Sequence, residues 1–241
     1  MARAVRRSSR EFLDLLHQDM DLPHNRYLNT PLVQLICNHR LPAAAIKDFA
    51  ILRWAFQANA NLAMMLAHAS YLSGDDAFLL LENAFDEIMR PKGQGDHPSL
   101  WVTFARACGA TDEELAAAAA DPLPEVVGFG ATLREFSTRS AEEGLAAWYA
   151  DEEQLPEALG SLGFALRKYY GMSDEALEYF FEHVRADVDH SDASEGLLLR
   201  YCDTPERQYR ARRAANVTLW SWIEMHNGIL RELRKRYPID G

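Results

Sequence analysis

Apolar residues in this chain recur at helical spacing almost from end to end, and no stretch alternates as a half-buried strand would. Prolines punctuate that pattern. Pro31, Pro42, Pro98 and Pro205 each stand where a periodic segment begins, the helix position that tolerates a missing N–H. The pattern predicts helices over about 9–20, 31–38, 42–71, 76–89, 98–109, 112–120, 125–138, 141–170 and 205–235, and one more opened by Ser173. Pro156 should kink or break the 141–170 stretch. Residues 22–30 read as a polar loop, and 91–96, with two glycines and a proline, as another. The expected fold is all-α, a helical bundle of seven to nine helices.

At 241 residues and 48% hydrophobic content, the chain can bury a full core as a single domain over 1–241. The basic start M-A-R-A-V-R-R-S-S-R has no apolar segment behind it, so residues 1–8 read as a flexible arm rather than a signal peptide. A net charge of −11 argues against a nucleic-acid partner. No apolar run reaches the length of a membrane span. Cys37, Cys108 and Cys202 are far apart and odd in number, which excludes a disulfide framework and points to reduced thiols in a cytoplasmic protein.

The chemistry-bearing segment is E-Y-F-F-E-H-V-R-A-D-V-D-H-S, where His183, Asp187 and His190 fall at i, i+4 and i+7. On an α-helix these occupy an arc of roughly 60°. Two imidazoles and a carboxylate on one face suit iron, manganese or zinc better than magnesium or calcium. Three ligands do not complete a coordination sphere, and helical-bundle iron sites draw carboxylates from facing helices. Glu87, in E-N-A-F-D-E, and His97, in D-H-P-S-L-W, flank the glycine-rich loop. Glu152 interrupts a Leu/Ala-rich stretch in Y-A-D-E-E-Q-L-P, where Asp151 and Glu153 are alternatives. Together Glu87, His97, Glu152, His183, Asp187 and His190 form a set able to hold two metal ions. Asp86, Asp96 and Glu182 are candidates to orient the histidines.

These four segments, in this order, resemble the haem-oxygenase-like diiron oxidases, relatives of the thiaminase-type TenA proteins and of the pyrroloquinoline quinone synthase. The resemblance runs from about Pro31 to about Tyr201. It implies a haem-oxygenase-like fold without haem, two iron ions held by those six residues, O2 as co-substrate, and a peroxo-diferric species on the reaction path. Glu152-x-Gln154-x-Pro156 is similar to the family's E-x-Q-x-P, which favours Glu152 as the ligand. The resemblance also implies a homodimer and allows an external electron donor.

Members of the family diverge in what they oxidise. One branch makes para-aminobenzoate from its own tyrosine and resembles H-P-x-Y early in the chain. Here that stretch reads Thr30-Pro31-Leu32-Val33, and Asp151 stands where the branch has a second tyrosine, so this reading drops. N-oxygenating members carry an extra Glu on the helix before the Glu87 helix; the corresponding face here shows Gln57, Asn61 and Met64. That polar face suits a small polar substrate, so N-oxygenation of an amine- or amino-acid-like metabolite comes first. Oxidative C–C cleavage or desaturation of an amino acid or fatty acid is the alternative. Arg53, Trp54, Gln57, Asn61 and Tyr149 are candidate substrate contacts, with Phe164 and Trp220 as further pocket candidates. A metal-independent thiaminase-like hydrolase would use Cys202 as nucleophile, and a non-catalytic bundle would use none of these residues.

Overall fold

The computed structural model describes residues 7–58, 62–84 and 96–239, with side chains at 62–63, 83–84 and 185–193 outside that description. In chain order the helices are α1 (Ser9–Met20), α2 (Pro31–Cys37), α3 (Ala43–Ala58), α4 (Leu62–Ala69), α5 (Gly74–Ala84), α6 (His97–Ala107), α7 (Asp112–Ala120), α8 (Pro124–Ser137), α9 (Ala141–Glu152), α10 (Leu155–Tyr170), α11 (Glu178–Tyr201) and α12 (Pro205–Arg236). A 3-10 turn, Tyr27–Asn29, precedes α2. Among the described residues there is no strand, as expected, and the helices number twelve rather than seven to nine.

Local chemistry explains the extra elements. Pro156 sits in the first turn of α10, four residues past the end of α9 at Glu152, so one predicted stretch becomes two helices. The predicted 42–71 stretch contains α3 and α4. Capping boxes start α1 (Ser8 with Glu11) and α7 (Thr111 with Glu114), and both begin where the sequence places them. The last but one helix begins at Glu178 instead of Ser173. The Ser173 hydroxyl accepts from Ala176 N–H at 3.3 Å, which turns the chain before α11 forms.

α9 is the axis of the bundle. Of its twelve residues only Trp148 is not buried, which is why its sequence carries little helical amphipathicity. The 32-residue α12 packs along α9 and α8, while α11 packs on α9 and α10. Glycine allows the tightest of these approaches. A Cβ at Gly144 would lie 2.3 Å from His68 Nε2, so α4 meets α9 only because that atom is missing. No helix among the described residues is long and apolar enough to cross a membrane.

Candidate metal centre and cavity

Of the six expected ligands, three have described side chains, and all three are buried: His97 and His183 at 4% exposure and Glu152 at 6%. His97 opens α6, His183 stands in the second turn of α11, and Glu152 closes α9. The His97 and His183 ring centroids lie 4.3 Å apart. Residues 86 positions apart in the chain thus meet, their ring planes tilted by 34°, at one point of the bundle. His183 Nδ1 donates to the Tyr179 carbonyl at 2.7 Å, because a carbonyl can only accept. That tautomer puts the ring's lone pair on Nε2, the arrangement found for metal-binding histidines oriented through their other nitrogen. Glu87 lies outside the described residues, as do the side chains of Asp187 and His190. α11 is continuous through 178–201, so the helical spacing that relates those two positions to His183 holds. Among the described residues no group of three or more His, Cys, Asp or Glu is gathered closely enough to form a metal site. Two adjacent imidazoles, one of them on the same cavity as the buried Glu152 carboxylate, are the donor types iron takes.

Burial separates the three acidic candidates on α9. Glu153 is exposed, whereas Asp151 and Glu152 are buried and both line the cavity. Asp151 accepts the Tyr27 hydroxyl at 2.8 Å. Burial, reinforced by the Asp151 charge, pushes the Tyr27 phenol well above its ordinary value, so it stays a protonated donor. Tyr27 is fully buried and stacks on Trp222 with centroids 3.7 Å apart. Gln154, the middle residue of E-x-Q-x-P, clamps this corner: its Oε1 accepts from Tyr27 N–H at 3.4 Å and its Nε2 donates to the Met20 carbonyl at 3.1 Å. The motif therefore couples the end of α9 to the loop before α2. Asp96, expected to orient a histidine, caps α6 by accepting from Ser99 N–H at 2.8 Å.

Glu152, Asp151 and His183 open on a cavity of about 320 Å³. Its walls include Phe56, Met64, Phe129, Trp148, Tyr179 and Trp222, and Arg53 and Gln57 supply further polar groups. Two of the candidate substrate contacts are therefore at the cavity. Gln57 Nε2 donates to the Tyr179 hydroxyl at 2.6 Å. The others are not. Trp54 packs half-buried against the core. Tyr149 is buried but pairs through its hydroxyl with His17 Nε2 at 2.5 Å. Phe164 and Trp220 face outward, 63% and 60% exposed, on the far sides of α10 and α12. Asn61 lies outside the described residues. Sequence reasoning missed Tyr27, Trp148, Tyr179 and Trp222, and weighed Asp151 only as an alternative to Glu152. Tyr179 carries a signal that was there to be used: it stands one helical turn before His183, on the same face.

Cys202 does not fit a nucleophile. It is fully buried, and burial together with the Glu142 charge pushes its thiol up to about 12. Cys37 and Cys108 are raised by burial to about 11 and about 12.

The backbone matches structures of haem-oxygenase-like fold. A TenA homologue from Pseudomonas syringae pv. tomato superposes with a TM-score of 0.74 at 15% identity, covering 91% of this chain and 93% of that one. A domain of unknown function with a heme oxygenase-like fold from Shewanella denitrificans gives 0.73 at 13% identity, covering 93% and 91%. The chain belongs to the iron-containing redox enzymes, whose family model matches residues 47–223, and it is accordingly an oxidoreductase. Among curated proteins it is 37% identical over 150 residues to the 4-aminobenzoate synthase of Nitrosomonas europaea, covering 60% of this chain and 59% of that protein. It is 32% identical over 149 residues to the 4-aminobenzoate synthase of Chlamydia trachomatis, covering 61% and 62%. The match thus spans about three-fifths of the length of these relatives.

Proposed function

We propose that this chain is an O2-dependent non-haem diiron oxygenase whose chemistry yields or consumes an aromatic amine of the 4-aminobenzoate kind. The cavity at Glu152 and His183 carries this reading. Its walls include five aromatic and two thioether side chains, its volume suits a single substituted ring, and it opens on buried metal-binding residue types. The relatives named 4-aminobenzoate synthase supply the substrate class. His97, Glu152 and His183 would hold iron together with Glu87, Asp187 and His190. Bound there, iron would supply the reduction of O2 that an organic side chain cannot perform.

The protein's own groups do the rest. The Tyr179 carbonyl holds the His183 ring in the ligating tautomer. Gln57 fixes the Tyr179 hydroxyl on the cavity wall. Phe56, Phe129 and Trp148 exclude water from the chamber and would flank an aromatic ring. A reading in which the protein provides the ring itself also regains support. The Thr30–Val33 stretch lacks a tyrosine, but Tyr27, three residues earlier, presents a buried phenol to Asp151 at the cavity. N-oxygenation of an added amine is the second reading, favoured by the Gln57 amide at the wall.

The experiment is anaerobic loading with Fe(II) followed by O2, with products identified by mass spectrometry, with and without added amines. 4-Aminobenzoate formed without any added organic substrate, and lost in Tyr27→Phe, would support the synthase reading. N-oxygenated products appearing only with an added amine would support the second. Absence of iron uptake and of O2 consumption would sink both.

A further inference from the structure

We propose that the cavity is built for a carboxylate ligand, and that Arg53 is the residue that receives it. The inference rests on taking this cavity as the reaction chamber, and it adds the charge of what enters.

Arg53 lies in the middle of α3 and is only 3% exposed, yet its side chain lines the cavity. Its guanidinium carbon sits 4.4 Å from the Trp101 ring centroid, 5.6 Å from that of Tyr179 and 5.9 Å from that of Phe56. Those rings hold the guanidinium plane but satisfy none of its in-plane N–H donors. Nη1 is buried and has no hydrogen-bond partner, and Arg53 makes no ion pair among the described residues. Asp151 and Glu152 are buried on the same cavity, whereas two other buried charges, Glu142 and Asp19, are paired with arginines. Glu142 accepts from Nε and Nη2 of Arg210, and Asp19 from Nε and Nη2 of Arg212.

A guanidinium in the interior cannot shed its proton, so an unsatisfied one is among the more costly groups a fold can bury. The charge is felt locally, since it helps hold the buried His226 in its neutral form. A planar fork with unused donors, facing an aromatic-walled chamber, matches one ligand group well: a carboxylate taken up side-on. An aromatic carboxylate would stack between the walls while its charge met Arg53. An uncharged aromatic of the same shape would leave the fork as it is.

The test is equilibrium binding to the metal-free full chain, read by calorimetry and by tryptophan fluorescence. The probes are benzoate and 4-aminobenzoate against uncharged benzamide. Wild type should bind the carboxylates at least about 10-fold more tightly than benzamide. Arg53→Met should weaken carboxylate binding about 10- to 100-fold and leave benzamide unchanged, and Arg53→Lys should fall between. Thermal unfolding of Arg53→Met supplies the control, because replacing an unsatisfied buried charge by an apolar chain of similar length should leave stability equal or higher. Equal affinity for benzoate and benzamide in wild type, or undiminished benzoate binding in Arg53→Met, would overturn the proposal. If Arg53→Met fails to fold, the wild-type comparison and Arg53→Lys still decide it. Iron- and O2-dependent turnover without carboxylate selectivity would refute this inference and leave the oxygenase reading standing. Carboxylate selectivity without turnover would uphold the inference and refute that reading.

Discussion

His226 should make this protein acid-labile in a window where few other groups act. The ring is fully buried against Trp222, with centroids 3.7 Å apart, and its Nδ1 donates to the Trp222 carbonyl at 3.0 Å. Burial first, and the Arg53 charge second, hold its pKa down at about 3 against an ordinary 6.5. The sign follows from which state takes up the proton. As pH falls below 6.5 the unfolded chain protonates this histidine while the folded chain does not. The stabilisation is therefore whole above 6.5 and is lost progressively as pH drops toward 3. Between pH 7 and pH 5 the loss for one such residue is about 2 kcal/mol. His68, lowered by burial to about 4, adds a loss of similar size. About 4 kcal/mol from both is a large share of the 5–15 kcal/mol that keeps a typical domain folded.

His226→Phe isolates the effect, since a phenyl ring keeps the stack on Trp222 and cannot titrate. Urea unfolding of the metal-free protein, followed by circular dichroism at several pH values between 7 and 5, gives the two stability profiles. A constant offset between them would reflect packing alone. The expected result is a profile for the variant that is shallower by about 2 kcal/mol over that interval. Parallel profiles would refute the reasoning, because they would mean that His226 takes up its proton equally well in both states.

Gly144→Ala should cost about 1–3 kcal/mol, read as a lower unfolding midpoint, since the new Cβ would fall 2.3 Å from a His68 ring that has no exposed side to move toward. Tyr27→Phe should cost about 1–3 kcal/mol by removing the hydroxyl that donates to buried Asp151, and Asp151→Asn should cost less than that if the phenol still finds an acceptor. Single alanine substitutions at Glu152 and His183, and likewise at Glu87 and His190, should lower the iron bound per chain and abolish O2 consumption while leaving the circular dichroism spectrum intact; unchanged iron content in any one of them removes that residue from the ligand set.

Much of the fold was readable because it is written in local chemistry. Ser8 with Glu11, and Thr111 with Glu114, are capping pairs three residues apart, and their helices begin where those pairs say. Pro156 announced the break between α9 and α10. The site was readable in part for a related reason. His97 and Glu152 are polar residues interrupting apolar segments, and His183 begins a helical repeat of ligand types. What stayed hidden depends on pairings across the chain. Tyr27 sits in a stretch that reads as a polar loop, and only Gln154, 127 positions away, explains why its backbone is held in the core. Tyr149, Phe164 and Trp220 were ordinary aromatic choices for a pocket, but which way each faces is fixed by how its helix is rotated against its neighbours. A hydrophobic pattern spread all round α9 gives no such direction.

The same reasoning separates Arg53 from the other charges of the molecule. Apart from buried Glu142, Glu143 and Asp19, held by Arg210, Arg139 and Arg212, the ion pairs among the described residues join side chains at the surface, where each contributes little. Those buried carboxylates are each met by an arginine reaching in from solvent. Arg53 inverts that arrangement, a cation inside with aromatic faces about it. Substituting it should therefore affect ligand binding more than folding, whereas Gly144 and His226 act on stability and leave the chamber's chemistry alone. Two sets of variants in one bundle, each moving one observable and sparing the other, would show that the cavity's polar groups are kept for what enters it rather than for the fold that surrounds it.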